Sequence, residues 1–337
     1  MGACLVEAVP AAVEAVCLGE SMAVLLPDRP GSLAAVESFR ATVGGAESNV
    51  AGVLAALGVP TAWVSRVGDD GFGRRLLTEL AGHGVDTTGV AVDPDRPTGL
   101  YVKEGGPHGP VPRYYRAGSA AAALGPEHLA DPAVARLLDG ARLLHLSGIT
   151  PALSDSCLAL VRALLARPGR PTVSFDLNWR PALWRRRDPA VLRELLDAAD
   201  LVLLGADEAE AALGTGDPAE LRALLPGPAT VVVKDAGHLV TAVERDGSST
   251  SEPALAVTVV EPTGAGDAFA AGYLAGTLRG LDQRRRLRLG HLAAAAALTS
   301  TGDQGALPDA ERRAALLDAS PADWAAVRVG PDGWWPR

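Results

Sequence analysis

The residues best suited to chemistry stand in one stretch of the carboxy-terminal half, Glu261-Pro-Thr-Gly-Ala-Gly-Asp-Ala-Phe-Ala-Ala-Gly-Tyr. A strand is predicted to end near Val260 and a helix to begin near Ala265, so the free N–H groups from Gly264 to Asp267 face one space at a positive helix end. Such a nest of N–H groups suits an anion. Asp267 brings a carboxylate to the same place, either as an ordinary helix cap or as a base that takes the proton of a hydroxyl during phosphoryl transfer. These residues alone leave both roles open.

A second cluster, Val43-Gly-Gly-Ala-Glu-Ser-Asn-Val-Ala, opens the first predicted amphipathic helix. Gly44 and Gly45 let the backbone approach a ligand closely, and Asn49 offers both a donor and an acceptor to hydroxyl groups. The alternative is a strand-to-helix turn with an ordinary cap. Judged alone, the cluster fits either a ligand site or a plain turn.

Motifs of several other enzyme classes are missing. A P-loop needs G-x-x-x-x-G-K-[ST], and neither Lys103 nor Lys234, the only lysines, stands in that setting. The protein-kinase motifs are absent, and Gly264-x-Gly266 lacks the third glycine of a dinucleotide-binding loop. H-E-x-x-H does not occur, and the 6 histidines are scattered. P-loop NTPases are therefore excluded, and a zinc protease or a nicotinamide-dependent oxidoreductase loses its best support.

The chain has 337 residues, of which 48% are apolar and 21% charged, so it can bury a full-sized core. Its net charge of −9 opposes a broad grip on nucleic acid or anionic lipid, because both need a positive face. Cys4, Cys17 and Cys157 are far apart and odd in number, which argues against a disulfide framework or a zinc site. With no basic leader region and no apolar run of about 20 residues, we expect a cytoplasmic enzyme without nucleic-acid or membrane partners.

Hydrophobic runs alternate with amphipathic helical patterns along most of the sequence, which is typical of a parallel sheet covered by helices on both faces. The predicted strands are residues 15–18, 62–67, 143–146, 173–176, 201–204 and 231–234. The predicted helices are residues 47–57, 72–82, 155–165, 190–198, 207–213, 265–278, 284–300 and 310–317. We expect the arginines of Arg284-Arg-Arg-Leu-Arg to form the solvated face of their helix. The pattern predicts one doubly wound α/β body.

Two segments interrupt this alternation, residues 22–42 and 98–118, which hold short alternating runs punctuated by Gly and Pro. The second contains Thr98-Gly-Leu-Tyr-Val-Lys, a Gly/Pro/His loop and Val111-Pro-Arg-Tyr-Tyr-Arg, which suits a hairpin. Strands of this kind do not join a parallel sheet easily. We therefore expect a small separate sheet that forms a lid over one edge of the body, the alternative being a surface hairpin without function.

Taken together, these residues resemble the ribokinase-like family of carbohydrate kinases, also called the PfkB family. Residues 44–51 match its amino-terminal motif and residues 261–273 its carboxy-terminal motif, and the similarity covers most of the chain. The resemblance implies an α/β body with a β-sheet lid, ATP-dependent phosphorylation of a sugar hydroxyl with Mg²⁺, and a homo-oligomer formed through the lid. We place the kinase domain at residues 13–320, between an amino-terminal extension, 1–12, and a carboxy-terminal tail, 321–337.

Three segments are similar to the family members that act on 2-keto-3-deoxygluconate: Leu144-His-Leu-Ser-Gly-Ile-Thr-Pro, Arg113-Tyr-Tyr-Arg-Ala-Gly-Ser-Ala and Phe175-Asp-Leu-Asn-Trp-Arg. Guanidinium groups bind a sugar acid well, whereas a neutral sugar needs no buried cation. The choice depends mainly on Arg116, whose alternative role is a solvent-facing strand residue. The resemblance thus implies phosphorylation of the terminal primary hydroxyl to the 6-phosphate. A neutral-sugar kinase or a sugar-binding regulatory protein are the alternatives.

The resemblance also implies a role for each matched position. Asp267 is the implied general base, and Gly264, Ala265 and Gly266 are the implied donors to the transferring group. The residues implied to bind the sugar are Gly45, Asn49, Tyr101, Tyr114, Arg116, Arg180, Asp267 and Asp303. Glu208 is implied to organise Mg²⁺ through water. The residues implied to bind the nucleotide are Lys234, Gly237, Gly264, Gly266 and His291.

Several departures from the family pattern cluster on the nucleotide side. Gly205 stands in place of the Asn or Ser of an Asn-x-x-Glu motif, and His291 stands in place of an adenine-side Asn. Glu261 replaces the usual Asp. The turn after Lys234 places the charge of Asp235 near the phosphates. The residues of the sugar side match the family pattern. Because the departures lie on the nucleotide side, we expect weaker or altered use of the nucleotide.

Overall fold

The structure is a computed structural model, and it describes residues 12–29, 31–105, 111–185, 187–300 and 306–335. Its strands are β1 (Ala15–Leu18), β2 (Met22–Pro27), β3 (Phe39–Gly44), β4 (Thr61–Gly68), β5 (Val90–Asp93), β6 (Leu100–Glu104), β7 (Val111–Tyr115), β8 (Leu143–Ser147), β9 (Thr172–Asp176), β10 (Leu201–Gly205), β11 (Thr230–Asp235), β12 (Leu239–Glu244), β13 (Ser249–Pro253), β14 (Ala256–Val257), β15 (Arg328–Gly330) and β16 (Gly333–Trp335). Its helices are α1 (Ala46–Ala56), α2 (Gly71–Gly82), α3 (Pro132–Gly140), α4 (Thr150–Leu153), α5 (Asp155–Ala166), α6 (Pro181–Trp184), α7 (Pro189–Asp197), α8 (Ala206–Leu213), α9 (Pro218–Leu224), α10 (Ala265–Leu278), α11 (Gln283–Leu298), α12 (Ala310–Leu317) and α13 (Pro321–Ala326).

The largest sheet in the described residues has nine strands in the order β13-β12-β11-β10-β9-β8-β1-β4-β5. Neighbouring strands from β11 to β5 are parallel, and β12 and β13 extend one edge as antiparallel strands. The chain builds outward from β1 through β4 and β5, then returns to β8 and builds in the other direction. This reversal confirms the doubly wound, mainly parallel α/β body, and it opens a crevice at the carboxyl ends of β1 and β8.

The central strands are buried on both faces because successive side chains point to opposite sides of the sheet. Val16 and Leu18 of β1 pack with residues of α3, α5 and α7 on one face. Ala15 and Cys17 pack with residues of α1, α2, α10 and α11 on the other face. Two hydrophobic cores therefore hold the strand ends in fixed positions. Within the described ranges, none of the helices combines the length and the apolar composition that a membrane crossing requires.

Many peripheral helices begin at a side-chain cap. Asp131, Asp188, Asp217 and Ser320 each accept hydrogen bonds from first-turn N–H groups of α3, α7, α9 and α13, and each precedes a proline. Hydrophobic periodicity did not predict α3, α9 or α13. The cap followed by proline was the signal that could have located them.

Strands β3, β2, β6 and β7 form a separate four-stranded sheet in this order. The central strand β2 pairs antiparallel with β3 and parallel with β6, and β6 pairs antiparallel with β7. Both segments that interrupt the α/β alternation thus contribute to one small sheet, as predicted. Residues 106–110 of the predicted Gly/Pro/His loop lie outside the described residues.

The solvated arginine face predicted for residues 284–288 is wrong at Arg288, which is 1% exposed. Its Nε donates to Glu252 Oε2 at 3.1 Å, and its Nη1 donates to the carbonyl oxygens of Leu317 and Ala319 at 3.0 and 2.6 Å. The residues after α12 cover this side of α11: α13 packs there, and β15 and β16 form a third sheet together with β14, which precedes α10. A periodicity argument on one helix could not foresee that cover.

Candidate active site

Three helices begin at glycine on the crevice side of the body. Gly45, Gly205 and Gly264 are the N-cap residues of α1, α8 and α10, and none of them supplies a side-chain cap. Each glycine lines one of the two cavities described below. First-turn N–H groups without a cap at a positive helix end attract anions. Unlike the N-cap residues of the capped peripheral helices, these three glycines supply no side-chain oxygen to the first turn, and at α10 the Ala265 N–H donates to the Pro262 carbonyl oxygen at 3.5 Å.

Two of these glycines are required by the backbone. Gly264 has a φ of +82°, in the left-handed region that favours glycine, and it turns the chain directly into α10. A Cβ on Gly45 would lie 2.3 Å from the carbonyl oxygen of Glu20. The close approach predicted at Gly45 is therefore an approach to the chain's own backbone, in addition to its place in the cavity wall.

Asp267 lies in the first turn of α10 but does not cap the helix. Its Oδ2 accepts a hydrogen bond from Asn49 Nδ2 at 2.9 Å, and its Oδ1 accepts one from Asn178 Nδ2 at 3.4 Å. Burial raises the pKa of Asp267 to about 7, while the hydrogen bond from Asn49 and the charge of Lys234 oppose the rise. This carboxyl group can gain or lose a proton near neutral pH, and it lines the larger cavity.

Lys234 was predicted in the nucleotide-binding turn, but its side chain extends toward the helix start. Its Nζ donates to Asp176 Oδ2 at 2.9 Å, and the side chains are only 15% and 6% exposed. Burial alone would lower the pKa of Lys234, but the pair with Asp176 outweighs it and the pKa is raised, so the lysine stays charged. Its Nζ lies 3.8 Å from where a Cβ on Gly266 would be. The lysine adds a positive charge beside the free N–H groups of α10.

Two cavities meet at this helix start. The lid cavity, of about 910 Å³, lies between the four-stranded sheet and the body, and the rear cavity, of about 660 Å³, lies on the other side of the start of α10. The residues that line both cavities are Glu208, Lys234, Pro262 and Gly266. Two molecules, one in each cavity, would touch at this point. The arrangement suits transfer of an anionic group between two bound substrates.

The lid contributes aromatic and cationic side chains to the lid cavity. The rings of Tyr101 and Tyr114 lie with their centroids 5.4 Å apart, and the guanidinium carbon of Arg116 lies 5.6 Å from the Tyr114 centroid. The Arg116 side chain is 9% exposed and forms an ion pair with the buried Glu20, which also accepts a hydrogen bond from Ser119 Oγ at 2.6 Å. Arg116 is thus a buried cation of the cavity wall and not a solvent-facing strand residue.

The body contributes a second arginine on the opposite side. Arg180 Nη1 donates to Glu208 Oε1 at 3.2 Å and to the carbonyl oxygen of Trp179 at 2.9 Å. Burial raises the pKa of Glu208, and the nearby charge of Asp176 adds to that rise. Glu208 therefore lies at the junction of the cavities with one carboxylate oxygen bound to an arginine.

One ion pair at the site was not foreseen. Lys103 Nζ, on lid strand β6, donates to Glu261 Oε2 at 3.0 Å and to Thr263 Oγ1 at 3.2 Å. The pair joins the lid to the loop that precedes α10. The signal in the sequence was Glu261 itself, whose extra methylene relative to Asp lengthens the reach toward the lid.

The rear cavity has a largely apolar wall. Burial lowers the pKa of His291 to about 4, so the ring is neutral at physiological pH, and its Nε2 lies 3.0 Å from the Glu252 carbonyl oxygen. The ring packs edge-on against Phe269 with centroids 5.3 Å apart. Gly237 lies in the exposed turn between β11 and β12 and lines the same cavity. A flat apolar group with a few hydrogen-bonding atoms would fit this wall.

The structure brings most of the predicted site residues together. Those that line the lid cavity are Gly45, Asn49, Tyr101, Tyr114, Arg116, Arg180, Glu208, Lys234, Gly264, Gly266 and Asp267. Those that line the rear cavity are Glu208, Lys234, Gly237, Ala265, Gly266 and His291. Asp303 lies outside the described residues.

Asn178 is a site residue that the sequence reasoning did not assign. It is 6% exposed, lines the lid cavity, and holds its backbone at a φ of +38°, which is uncommon for a residue with a side chain. Its buried Oδ1 has no hydrogen-bond partner among the residues that the structure describes. The signal was its place directly after β9, at the carboxyl edge of a parallel sheet.

Comparison with protein families and curated proteins gives consistent results. The family model described as "pfkB family carbohydrate kinase" matches residues 13–310. A 2-dehydro-3-deoxygluconokinase of Thermoproteus tenax is 38% identical over 327 residues, with 93% of this chain and 97% of the relative covered. A 2-dehydro-3-deoxygluconokinase of Bacillus subtilis is 35% identical, with 91% of this chain and 96% of the relative covered.

Solved structures agree with the sequence relatives. A PfkB protein from Polaromonas sp. JS666 superposes with a TM-score of 0.77 at 34% identity, and the match covers 92% of this chain and 100% of the other. A sugar kinase of Pyrococcus horikoshii, solved in complex with ATP, superposes with a TM-score of 0.77 at 25% identity over 92% of this chain and 99% of the other.

Proposed function

Because the chain belongs to the PfkB family of carbohydrate kinases, we propose that it transfers the γ-phosphoryl group of ATP to the terminal primary hydroxyl of 2-keto-3-deoxygluconate. The observation that carries this proposal is the meeting of two cavities at the start of α10, where uncapped N–H groups and Lys234 adjoin the Asp267 carboxyl. The sugar acid occupies the lid cavity and the nucleotide the rear cavity. The relatives named 2-dehydro-3-deoxygluconokinase support the choice of sugar.

Asp267 acts as the general base. As the sugar hydroxyl oxygen bonds to the γ-phosphorus, its proton passes to the Asp267 carboxylate, the bond to the β-phosphate oxygen breaks, and ADP leaves. The N–H groups at Gly264, Ala265 and Gly266 donate to the transferring group, and Lys234 neutralises part of its charge. Asn49 and Asn178 hold the carboxyl by its two oxygens, which fixes the direction from which it takes the proton.

The arginines of the lid cavity give the preference for an acid. Arg116 is held by Glu20, and its side chain lines the lid cavity as a buried cation. A carboxylate of the sugar would pair with this cation through a charge-assisted hydrogen bond, whereas a neutral hydroxyl would bind it more weakly. Arg180 approaches from the body, so the sugar acid is bound between lid and body. Tyr101 and Tyr114 provide the stacking surface against which the carbon chain packs.

Mg²⁺ fits the junction as a partner of the nucleotide phosphates. Glu208 offers a carboxylate there, and oxygen ligands are those that Mg²⁺ prefers. Among the described residues, no group of three or more His, Cys, Asp and Glu side chains is arranged to hold a metal ion. Phosphate oxygens and water would therefore supply most of the ligands, with Glu208 binding through water. A bound Mg²⁺ would neutralise phosphate charge, and Lys234 would share that task.

A coupled assay for ADP release over a panel of sugars tests this function. We expect 2-keto-3-deoxygluconate to give the highest kcat/KM, ahead of gluconate, ribose and fructose, with phosphorus NMR showing a phosphomonoester on the terminal carbon. If ribose or fructose reacts faster than every acid, the assignment to a sugar acid is wrong while the kinase assignment stands. Sugar binding by calorimetry with no turnover of any sugar would indicate a regulatory binding protein.

We also infer self-association through the lid. Phe39, Val111 and Tyr115 on lid strands are 39%, 45% and 62% exposed, and an exposed apolar sheet face favours a partner. A second copy of the chain would cover this face. Light scattering after gel filtration should give twice the monomer mass or more, and a monomer at micromolar concentration would contradict the inference.

A cytoplasmic location accords with this function. Cys17 and Cys157 are buried free thiols, which persist most easily in a reducing compartment. Fractionation of cells that express the chain should recover it with cytoplasmic marker enzymes, and recovery in a secreted fraction would contradict this location.

A further inference from the structure

The carboxy-terminal segment, residues 321–335, is packed against the body instead of projecting from it. Trp324 of α13 is 1% exposed, and its Nε1 donates to the carbonyl oxygen of Pro253 at 2.9 Å. Pro253 ends β13, so this hydrogen bond ties the segment to the edge of the main sheet. The family model ends at residue 310 and does not include the segment.

The same segment pairs with a strand of the rear cavity. Ala256 and Val257 of β14 pair in parallel with Arg328 and Val329 of β15, and Thr258 N donates to the Val329 carbonyl oxygen at 2.8 Å. Both residues of β14 line the rear cavity. The chain then runs from Thr258 directly into the loop that ends at Gly264. Strand pairing with the carboxy-terminal segment therefore holds β14, which is part of the rear cavity wall.

A row of rings leads from the segment to the cavity surface. The Trp324 ring lies 6.2 Å from the His291 ring, which lies 5.3 Å from the Phe269 ring, and both His291 and Phe269 line the rear cavity. The guanidinium carbon of the buried Arg288 lies 4.8 Å from the Trp324 ring centroid. Trp324 thus packs against His291 but is not itself among the described residues that line the rear cavity.

We propose that the carboxy-terminal segment is a part of the nucleotide site, with Trp324 as a positioning residue that fixes His291 and the β14 wall. The proposal rests on the proposed function for the identity of the ligand in the rear cavity. It predicts a selective effect, because Trp324 packs against His291, which lines the rear cavity and not the lid cavity, and none of the described residues that line the lid cavity belongs to the carboxy-terminal segment. Loss of Trp324 should weaken nucleotide binding and leave sugar binding unchanged.

The test compares Trp324→Ala, Trp324→Phe and the matched control Ala322→Ser, an exposed position on the same helix. We expect Trp324→Ala to raise KM for ATP and the dissociation constant of ADP about tenfold, since small displacements of a binding wall are costly. KM for the sugar should stay within about twofold of the parent, as expected for a wall it does not touch. Trp324→Phe keeps an aromatic ring beside His291 and should recover most of the loss.

Calorimetry with ADP separates this proposal from the proposed function, because it needs no correct sugar. A parent protein that binds ADP but phosphorylates no sugar would end the proposed function, and the ADP constants of the variants would still decide the role of the segment. Equal losses for ATP and sugar, an unchanged ADP constant in Trp324→Ala, or a parent that binds no ADP would overturn the proposal. If Trp324→Ala does not fold, Trp324→Leu serves in its place by the same criteria.

Discussion

At the residue scale, the proposed chemistry depends on the Asp267 carboxyl group, which is buried although its charged form is more stable in water. Burial raises the pKa of Asp267, and the amide of Asn49 lowers it by donating to the charged form. The balance leaves the group near neutrality, where a base is both partly ionised and able to hold a proton. A solvent-exposed aspartate would be ionised but a much weaker base.

The first prediction concerns the pH dependence of the reaction. The base works as the carboxylate, so kcat/KM should rise with pH through about 7 and level off above it. Asn49→Leu removes the donor that stabilises the carboxylate, so the midpoint should move to higher pH. Initial rates measured over the same series of sugar concentrations at each pH from 5 to 9 give this midpoint. Ser48→Ala, the buried neighbour whose hydroxyl bonds to Ser21 Oγ, is the control and should keep the parent midpoint.

If Asn49→Leu has the same midpoint as the parent, the rise of kcat/KM with pH reports the titration of a group other than Asp267. The direction of the shift is decisive here, because Asn49→Leu should also lower the absolute rate by removing the proposed contact of Asn49 with the sugar.

The second prediction concerns the choice between acids and neutral sugars. Arg116→Met alone would leave the buried Glu20 without its cation, at a cost of about 3–5 kcal/mol in stability. The double variant Glu20→Gln with Arg116→Met removes both charges together. Its KM for the sugar acid should rise about tenfold to a hundredfold, the worth of one charge-assisted hydrogen bond.

The control for this variant is a neutral sugar that the parent phosphorylates slowly. Its KM should change little, because no carboxylate is lost from the contact. Parallel losses for the acid and the neutral sugar would show that Arg116 shapes the cavity without selecting the acid.

At the element scale, side chains join the lid to the loop before α10. The pattern of neither element alone predicts these contacts. The sequence predicted the small lid sheet and α10, because hydrophobic periodicity and Gly/Pro punctuation are local signals. Helices α10 and α12 begin and end at the predicted residues. The β12–β13 hairpin was not predicted, since Ser249–Pro253 alternates little and forms a sheet edge. The Lys103–Glu261 pair, 158 residues apart, could not be read from either local pattern.

The third prediction tests that pair. Lys103→Met removes the lid's ion pair to the loop before α10, so the lid should close less fully and admit water. We expect kcat/KM for the sugar to fall about tenfold, since closure positions the reactants. Hydrolysis of ATP without sugar should increase relative to sugar phosphorylation.

Arg113→Met is the matched control, because Arg113 pairs with Glu104 within the lid and does not reach the body. It should behave like the parent in both assays. If the two variants are equally active, the Lys103 pair has no part in closure.

At the scale of the whole molecule, the site exists because the strand order of the main sheet reverses beside β1: β4 and β5 lie on one side of it, and β8 to β11 lie on the other. Asn49 and Asp267 are 218 residues apart in the chain, and Asn178 comes from a third element, yet both amides bind one carboxyl. Motif resemblance located Asn49 and Asp267 without geometry. Motif resemblance could not predict that Arg116 pairs with Glu20 or that the Lys234 side chain points toward α10. It also could not predict that α13 packs over Arg288. Each of these contacts joins elements that are distant in the sequence.

The most direct measurement of the central claim is single-turnover phosphoryl transfer by Asp267→Asn, with binding of sugar and ADP followed by calorimetry. Asparagine keeps the size of the side chain and one acceptor oxygen for the neighbouring amides of Asn49 and Asn178, but it cannot accept the proton. The predicted result is transfer slower by about 100-fold to 10,000-fold, with both dissociation constants near those of the parent. Transfer within about tenfold of the parent rate, a loss too small for a missing base, would contradict the account.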